Sequence, residues 1–343
     1  MNKELLLIVM GAALLGASSP DSSRTVRPCA QCHPAQSKLH PGTSMAHALE
    51  LVKECTILKD RPLLTFQEGT YSYRIEKKEA GAVYSISDGE QTLTFPIGWA
   101  FGQGLAGQTY VFENGGEYYQ TRVSYYRAID GLDLTLGAKN VKPGNIGEAI
   151  GIRMARQEQA QCFGCHATSA VEAKQLAVGK LIAGIQCERC HGSTENHLKG
   201  ITQGNPTLAT MPKLTAYSSE QISTFCGQCH RTWEEIASAS QVGISNVRFQ
   251  PYRLTNSKCY DTEDRRISCV ACHDPHREID HSTAHYDSKC QACHGGGKPE
   301  ARACKVSTSN CVTCHMPKIE IPGSHHKFSD HEIRIVKANV YPD

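Results

Sequence analysis

Membrane-length hydrophobic runs are missing from this 343-residue sequence. The apolar stretch Leu5 to Gly16 covers 12 residues, short of the roughly 20 that a spanning helix needs. With Lys3 before it and Ala17, Ser18 and Ser19 after it, the stretch reads as a secretory signal over residues 1–19, cleaved near 17–22. No cysteine closes the run, so it offers no lipoprotein acylation site. The sequence predicts an exported protein, periplasmic or extracellular, with no transmembrane segment once the signal is removed. A surplus of one charge is also missing: Lys+Arg 36 stand against Asp+Glu 34. That balance gives no reason to expect nucleic acid or anionic membrane as a partner.

Cysteine and histidine are absent from a third of the chain, the 106 residues between Cys55 and Cys162. Aromatics fill the gap instead, with 13 of the chain's 23 lying between Phe66 and Tyr126. Alternating runs such as Tyr71 to Ile75 and Val83 to Ser87 have strand period. Tyr110 to Tyr126 reads as a hairpin turning at Asn114-Gly115-Gly116, where positive φ is needed. We read residues 60–145 as a β-rich module between an N-terminal segment, 20–59, and a C-terminal region, 146–343. Ser218 to Ala239 in that last region has a serine cap followed by helical spacing. Elsewhere Gly, Pro and Ser interrupt it, and so little apolar side chain cannot hold such a region together unaided.

What the flanking regions do have is seventeen cysteines and sixteen histidines. Every C-x-x-C pair is followed at once by histidine, seven times over. Chance at this composition predicts far less than one such pentapeptide, and neither zinc ribbons nor redox dithiols demand histidine at the next position. C-x-x-C-H is the attachment site for c-type haem. On a helical turn the two cysteines lie side by side to form thioethers, and the following histidine offers its imidazole to the iron. The sequence therefore predicts seven covalent haem c groups. Their thioethers fall on Cys29 and Cys32, Cys162 and Cys165, Cys187 and Cys190, Cys226 and Cys229, Cys269 and Cys272, Cys290 and Cys293, and Cys311 and Cys314. The proximal ligands are His33, His166, His191, His230, His273, His294 and His315. The first motif falls in the N-terminal segment and the other six in the C-terminal region, where the haems themselves supply the missing core.

These contexts resemble multihaem c-type cytochromes of the cytochrome c-552/c-554 class. The likeness is carried by CAQCHPAQSKLHPGTSMAHAL, GIQCERCHGSTENH, VRFQPYRLTNSKC with RISCVACHDPH, and CVTCHMPKIEIPGSHHKFSDHEIRI. It implies a mainly α and irregular fold, short helices packed around covalent haems, with the antiparallel β module inserted. It also implies distal, sixth-position roles for His47, His197, His276, His325 and His331. Met45 competes with His47, and His281 and His285 are weaker candidates without a clear family position. C-x-x-C-K, the catalytic motif of the pentahaem nitrite reductases, is absent, which argues against that enzyme. Cys55, Cys259 and Cys304 remain outside the motifs, and a Cys259–Cys304 disulfide and free thiols are equal alternatives.

Three functions fit this inventory. An electron carrier would have every iron saturated by two side chains and would exchange electrons with other cytochromes or membrane quinol-linked complexes. An oxidoreductase would keep one iron five-coordinate to reduce nitrite, hydroxylamine or tetrathionate. A subunit of an extracellular cytochrome polymer would donate ligands between chains. Seven distal positions facing nine spare histidines favour the first.

Overall fold

A computed structural model describes residues 26–240, 242–295 and 304–336. The segment read as a signal, 1–19 with cleavage near 17–22, lies outside the described residues. Its dominant element is an antiparallel sheet. Strands β1 (Leu49–Leu51), β2 (Leu63–Glu68), β3 (Tyr71–Lys78), β4 (Gly81–Ser87), β5 (Thr92–Phe101), β6 (Gln108–Asn114), β7 (Glu117–Tyr126), β8 (Gly131–Leu134) and β9 (Gly151–Arg153) belong to it. The meander runs β2 to β8 in chain order, with β1 added on β5 and β9 on β7.

This corrects the expected fold class. The chain is not mainly α with a small β insertion: the sheet curls into a nearly closed barrel, and strand makes up 25 % against 35 % helix. Strand period was visible in the sequence, but closure was not. The alternation of β3 and β4 sends Tyr73, Ile75, Tyr84 and Ile86 inward, all at 1 % exposure or less. They meet Tyr110, Phe112, Val123 and Tyr125 from β6 and β7, so the barrel has a core of its own. The Gly115 and Gly116 turn has φ of 62° and 81°, the double positive φ of a tight hairpin, and pairs Asn114 with Glu117.

An ion pair reaches across the seam between β2 and β8. Buried Arg122 on β7 donates from Nε to Glu68 Oε2 at 2.6 Å and from Nη2 to Glu68 Oε1 at 2.7 Å. A further Nη2 bond goes to the Val141 carbonyl at 2.7 Å. The bidentate geometry and weak screening strengthen the attraction relative to a surface pair, against the cost of desolvating both groups.

Beyond the barrel the described residues form short helices, three two-stranded antiparallel pairings and connections. The sequence reads Ser218 to Ala239 as one capped helix; the structure gives two. Ser219–His230 starts with a Ser218/Gln221 capping box, and Trp233–Ser238 starts with a second one, Thr232/Glu235. Between them Arg231 takes φ 57°, which ends the first helix at the histidine of its C-x-x-C-H motif. Helix Arg156–His166 docks on the outside of the barrel, where Phe163 is fully buried against Trp99 and Phe101 of β5. Cys55 is buried in the barrel core with its thiol donating to Gln108 Oε1 at 3.2 Å. Cys259 and Cys304 are exposed free thiols, with no bond between them.

Replacing Arg122 with Met leaves Glu68 without its partner and is expected to cost about 3 kcal/mol. The bonds from Arg122 hold the Glu68 carboxyl below its ordinary value. A depressed carboxyl contributes stability above its unfolded value of about 4.3 and loses it as pH falls through the lower folded value. Denaturant titrations across the acid range should therefore show a shallower acid loss in Arg122→Met than in the parent. An unchanged acid slope would separate the pair from barrel closure.

Candidate haem attachment and ligand sites

All seven C-x-x-C-H motifs fall on helical segments that end at their histidine or one residue before it. Six are Arg156–His166, Cys187–His191, Ser219–His230, Cys269–Cys272, Thr283–His294 and Cys311–His315. The seventh, Val26–Cys32, stops one residue before His33. Helical geometry puts the paired cysteines of each motif on one face. A cavity of about 240 Å³ lies against Cys272 and His273, lined also by Asp274, Pro275, His285 and Lys289. Among the described residues no three or more His, Cys, Asp or Glu side chains gather to hold a bare metal ion. The motifs are dispersed along the chain as separate sites.

Three motif histidines stand opposite a histidine from elsewhere in the chain. His33 faces His197 with ring centres 6.4 Å apart, His191 faces His276 at 6.1 Å, and His273 faces His331 at 6.2 Å. Two metal–nitrogen bonds of about 2 Å, plus roughly 1 Å from each nitrogen to its ring centre, span about 6 Å. Aromatic pairing covers the same distance. The ring nitrogens separate the two readings, because a metal-ligating histidine donates its other N–H to a protein acceptor.

That pattern is present. His197 Nδ1 bonds the Ala209 carbonyl at 2.5 Å, His276 Nδ1 bonds Asp274 Oδ1 at 3.1 Å, and His331 Nδ1 bonds the Ser329 carbonyl at 3.0 Å. Of the motif histidines, His166 Nδ1 bonds the Ala48 carbonyl at 2.8 Å, His230 Nδ1 bonds Gln250 Oε1 at 3.1 Å, and His315 Nδ1 bonds the Arg334 carbonyl at 2.9 Å. In these six rings Nε2 makes no hydrogen bond among the described residues. Burial also lowers the pKa of His166, His191, His230, His273 and His331, the last to about 4, so these rings sit neutral, as ligation requires.

The remaining sequence-derived candidates are placed differently. His47 has both nitrogens engaged, Nδ1 with Glu50 Oε1 at 3.0 Å and Nε2 with the Pro41 carbonyl at 2.8 Å. His325 spends Nε2 on Asp133 Oδ2 of β8 at 2.7 Å and packs on Tyr126 of the barrel. His285 Nε2 contacts the Cys272 carbonyl at 3.4 Å. Half-buried Met45 bonds through its carbonyl to the Ile185 amide, and His281 is exposed. The structure thus brings His197, His276 and His331 to motif histidines and ties His47 and His325 to carboxylates. Among the described residues no histidine ring stands opposite His166, His230 or His315. His294 adjoins residues 296–303, which are not described.

Arg253 is a residue that motif reading passes over. It is fully buried, and its Nη1 has no partner among the described residues. A buried cationic donor without an acceptor is the complement of a buried carboxylate, such as a haem propionate. The residues present therefore fit haem c: a thioether pair, a neutral imidazole beside it, three facing imidazoles and an idle cationic donor.

The pH behaviour of His47 follows from its partner. The Glu50 hydrogen bond raises His47 and, against the opposing effect of burial, lowers Glu50. Stability from a raised histidine is fully present below its unfolded value of about 6.5 and is lost as pH rises through the folded value. The Glu50 contribution is lost at the other end, as pH falls through its depressed folded value. His47→Gln should flatten the stability profile on the alkaline side of that window while leaving the visible spectrum unchanged. A change in the visible spectrum would instead make His47 a ligand.

A family model described as Cytochrome c554 and c-prime matches residues 137–192, a stretch that holds the motifs of His166 and His191. Multiheme cytochrome MtrA of Shewanella baltica (strain OS185) is 29 % identical over 143 residues, 40 % of this chain and 36 % of that protein. The chain thus matches about a third of the length of that curated relative. No solved structure matches. With the motif geometry already described, these likenesses support a multihaem c-type cytochrome.

Proposed function

We propose that the protein is an exported heptahaem cytochrome that passes electrons between redox partner proteins along a row of attachment helices. Bound haem c supplies a one-electron ferric/ferrous couple, and bis-imidazole ligation, lacking the thioether that raises potential, favours low values. The residues that hold it are the fourteen motif cysteines and seven motif histidines. His197, His276 and His331 complete the irons of His33, His191 and His273.

The observation that carries this reading is the set of three facing imidazole pairs together with attachment helices that neighbour one another. Arg156–His166 packs on Ser219–His230, and that helix packs on Cys269–Cys272. Cys269–Cys272 packs on Thr283–His294, which packs on Cys311–His315. Arg189 Nη2 lies 3.8 Å from Cys229 Sγ, bringing the Cys187–His191 motif to the same row. His197 crosses from the segment after that motif to His33, adding the N-terminal motif. An electron entering at either end meets a neighbour at each step. The attachment site at His166 forms a branch beside the barrel, where the ring packs on Phe101 of β5 at 5.3 Å. Partners fitting this arrangement are other cytochromes or quinol-linked complexes, met in the periplasm or outside the cell.

One observation favours a second reading. His166, His230 and His315 lack a facing histidine among the described residues, so an oxidoreductase with an open iron at one of them fits the same chain. Nitrite, hydroxylamine and tetrathionate are the candidate substrates.

Haem quantitation and intact mass on the holoprotein are expected to give seven haem equivalents; fewer would overturn the count. Replacing His197, His276 or His331 singly with Ala should each turn one low-spin ferric haem high-spin in the electron paramagnetic resonance spectrum. Parent protein that is low-spin throughout and unmoved by nitrite, hydroxylamine or cyanide supports the carrier. A high-spin signal that shifts with one of them supports the oxidoreductase.

A further inference from the structure

The strap that presents His331 has both of its flanking carboxylates held by one guanidinium. Arg253 lies on the helix Gln250–Leu254 and is 0 % exposed. Its Nε donates to Asp330 Oδ1 at 2.8 Å and its Nη2 to Asp330 Oδ2 at 3.0 Å. Nη2 also donates to Glu332 Oε2 at 2.5 Å. The two acidic residues on either side of His331 therefore close on one guanidinium. Arg334 Nη1 adds a second cation on Asp330 Oδ2 at 2.6 Å, so two positive and two negative groups balance.

The backbone is fixed from the same neighbourhood. Ser257 Oγ donates to the His331 carbonyl at 3.2 Å and accepts from the Ile333 amide at 2.8 Å. With residues 330, 332 and 333 held, the ring between them has little freedom except to point across at His273, 6.2 Å away. The geometry needs a planar fork. A lysine ammonium is a point donor and cannot grip Asp330 bidentately while also reaching Glu332.

Three of the five guanidinium N–H groups are used, and both on Nη1 are idle among the described residues. A buried cation tolerates idle donors only where an acceptor reaches them. The acceptor must be anionic or strongly polar, must enter a buried site and must lie beside His331. Haem held between His273 and His331 carries carboxylates of its own.

We infer that Arg253 is a positioning residue that presents His331 opposite His273, and that its Nη1 takes a propionate carboxylate of the same haem. This rests on the His273–His331 pairing proposed above. It goes further by naming what sets the pairing and by assigning a carboxylate site that no motif marks.

The test uses the full holoprotein with Arg253→Met, Arg253→Lys and His331→Ala. Low-temperature electron paramagnetic resonance counts high-spin haem in each. Redox-difference infrared spectra, with haem carboxylates labelled with carbon-13, report the propionates. His331→Ala is expected to give one high-spin haem equivalent, and Arg253→Met to give most of one. Arg253→Lys, which keeps the charge and guards against a variant that fails to fold, should give an intermediate fraction. Both Arg253 variants should shift a labelled carboxylate band. High-spin signal in His331→Ala with neither Arg253 variant moving from the parent would overturn the positioning role. Unmoved labelled bands would overturn the propionate assignment. A fully low-spin His331→Ala would overturn the pairing itself and leave Arg253 without its proposed task.

Discussion

Imidazole rings fixed through one nitrogen and left bare at the other are the constraint on which the rest of this molecule depends. A bond at Nδ1, to a backbone carbonyl or to the side chain of Gln250 or Asp274, sets the tautomer and the aim of the ring, and burial keeps the most enclosed rings neutral. His331 shows both effects, with Nδ1 on the Ser329 carbonyl and a pKa pushed down to about 4 by burial. The same residue type is placed differently where a protein acceptor takes Nε2: Pro41 does so at His47, whose Nδ1 is on Glu50, and Asp133 does so at His325.

Those rings also explain how a region poor in apolar core is organised. Each facing pair joins segments far apart in sequence: His33 with His197, His191 with His276, His273 with His331. Their crossings link segments of a region whose own buried apolar side chains are few, among them Ile222, Ile236, Val247 and Tyr252. The barrel needs no such help. Its tyrosines and isoleucines alternate inward and bury one another, and Arg122 and Glu68 draw the seam together. The proposed haems would give the chain a second kind of core beside the barrel's core of side chains. Helix Arg156–His166 joins them, with Phe163 in the barrel's outer apolar cluster and His166 at its end.

The sequence was most legible where chemistry demands a fixed local spacing. The seven motifs, the Gly115-Gly116 turn and the Ser218 cap all act over a few residues, so they can be read without a fold. Legibility fell where the outcome depends on closure. Alternation in Tyr71 to Ser87 announced strands, but barrel curvature and the recruitment of Leu49–Leu51 and Gly151–Arg153 arise from long-range pairing. The balance between helix and sheet follows from that long-range pairing, which local spacing does not report.

What the sequence by itself determined is the attachment chemistry, because a thioether pair and its neighbouring imidazole are local in the chain. Only the tertiary structure decided which spare histidines confront a motif histidine and which have Nε2 taken by a protein acceptor. His197 and His47 look alike as isolated residues. One ends beside the Ala209 carbonyl and opposite His33, the other between Glu50 and Pro41. The choice follows from where remote backbone carbonyls and carboxylates are packed, and a one-dimensional pattern does not contain that information.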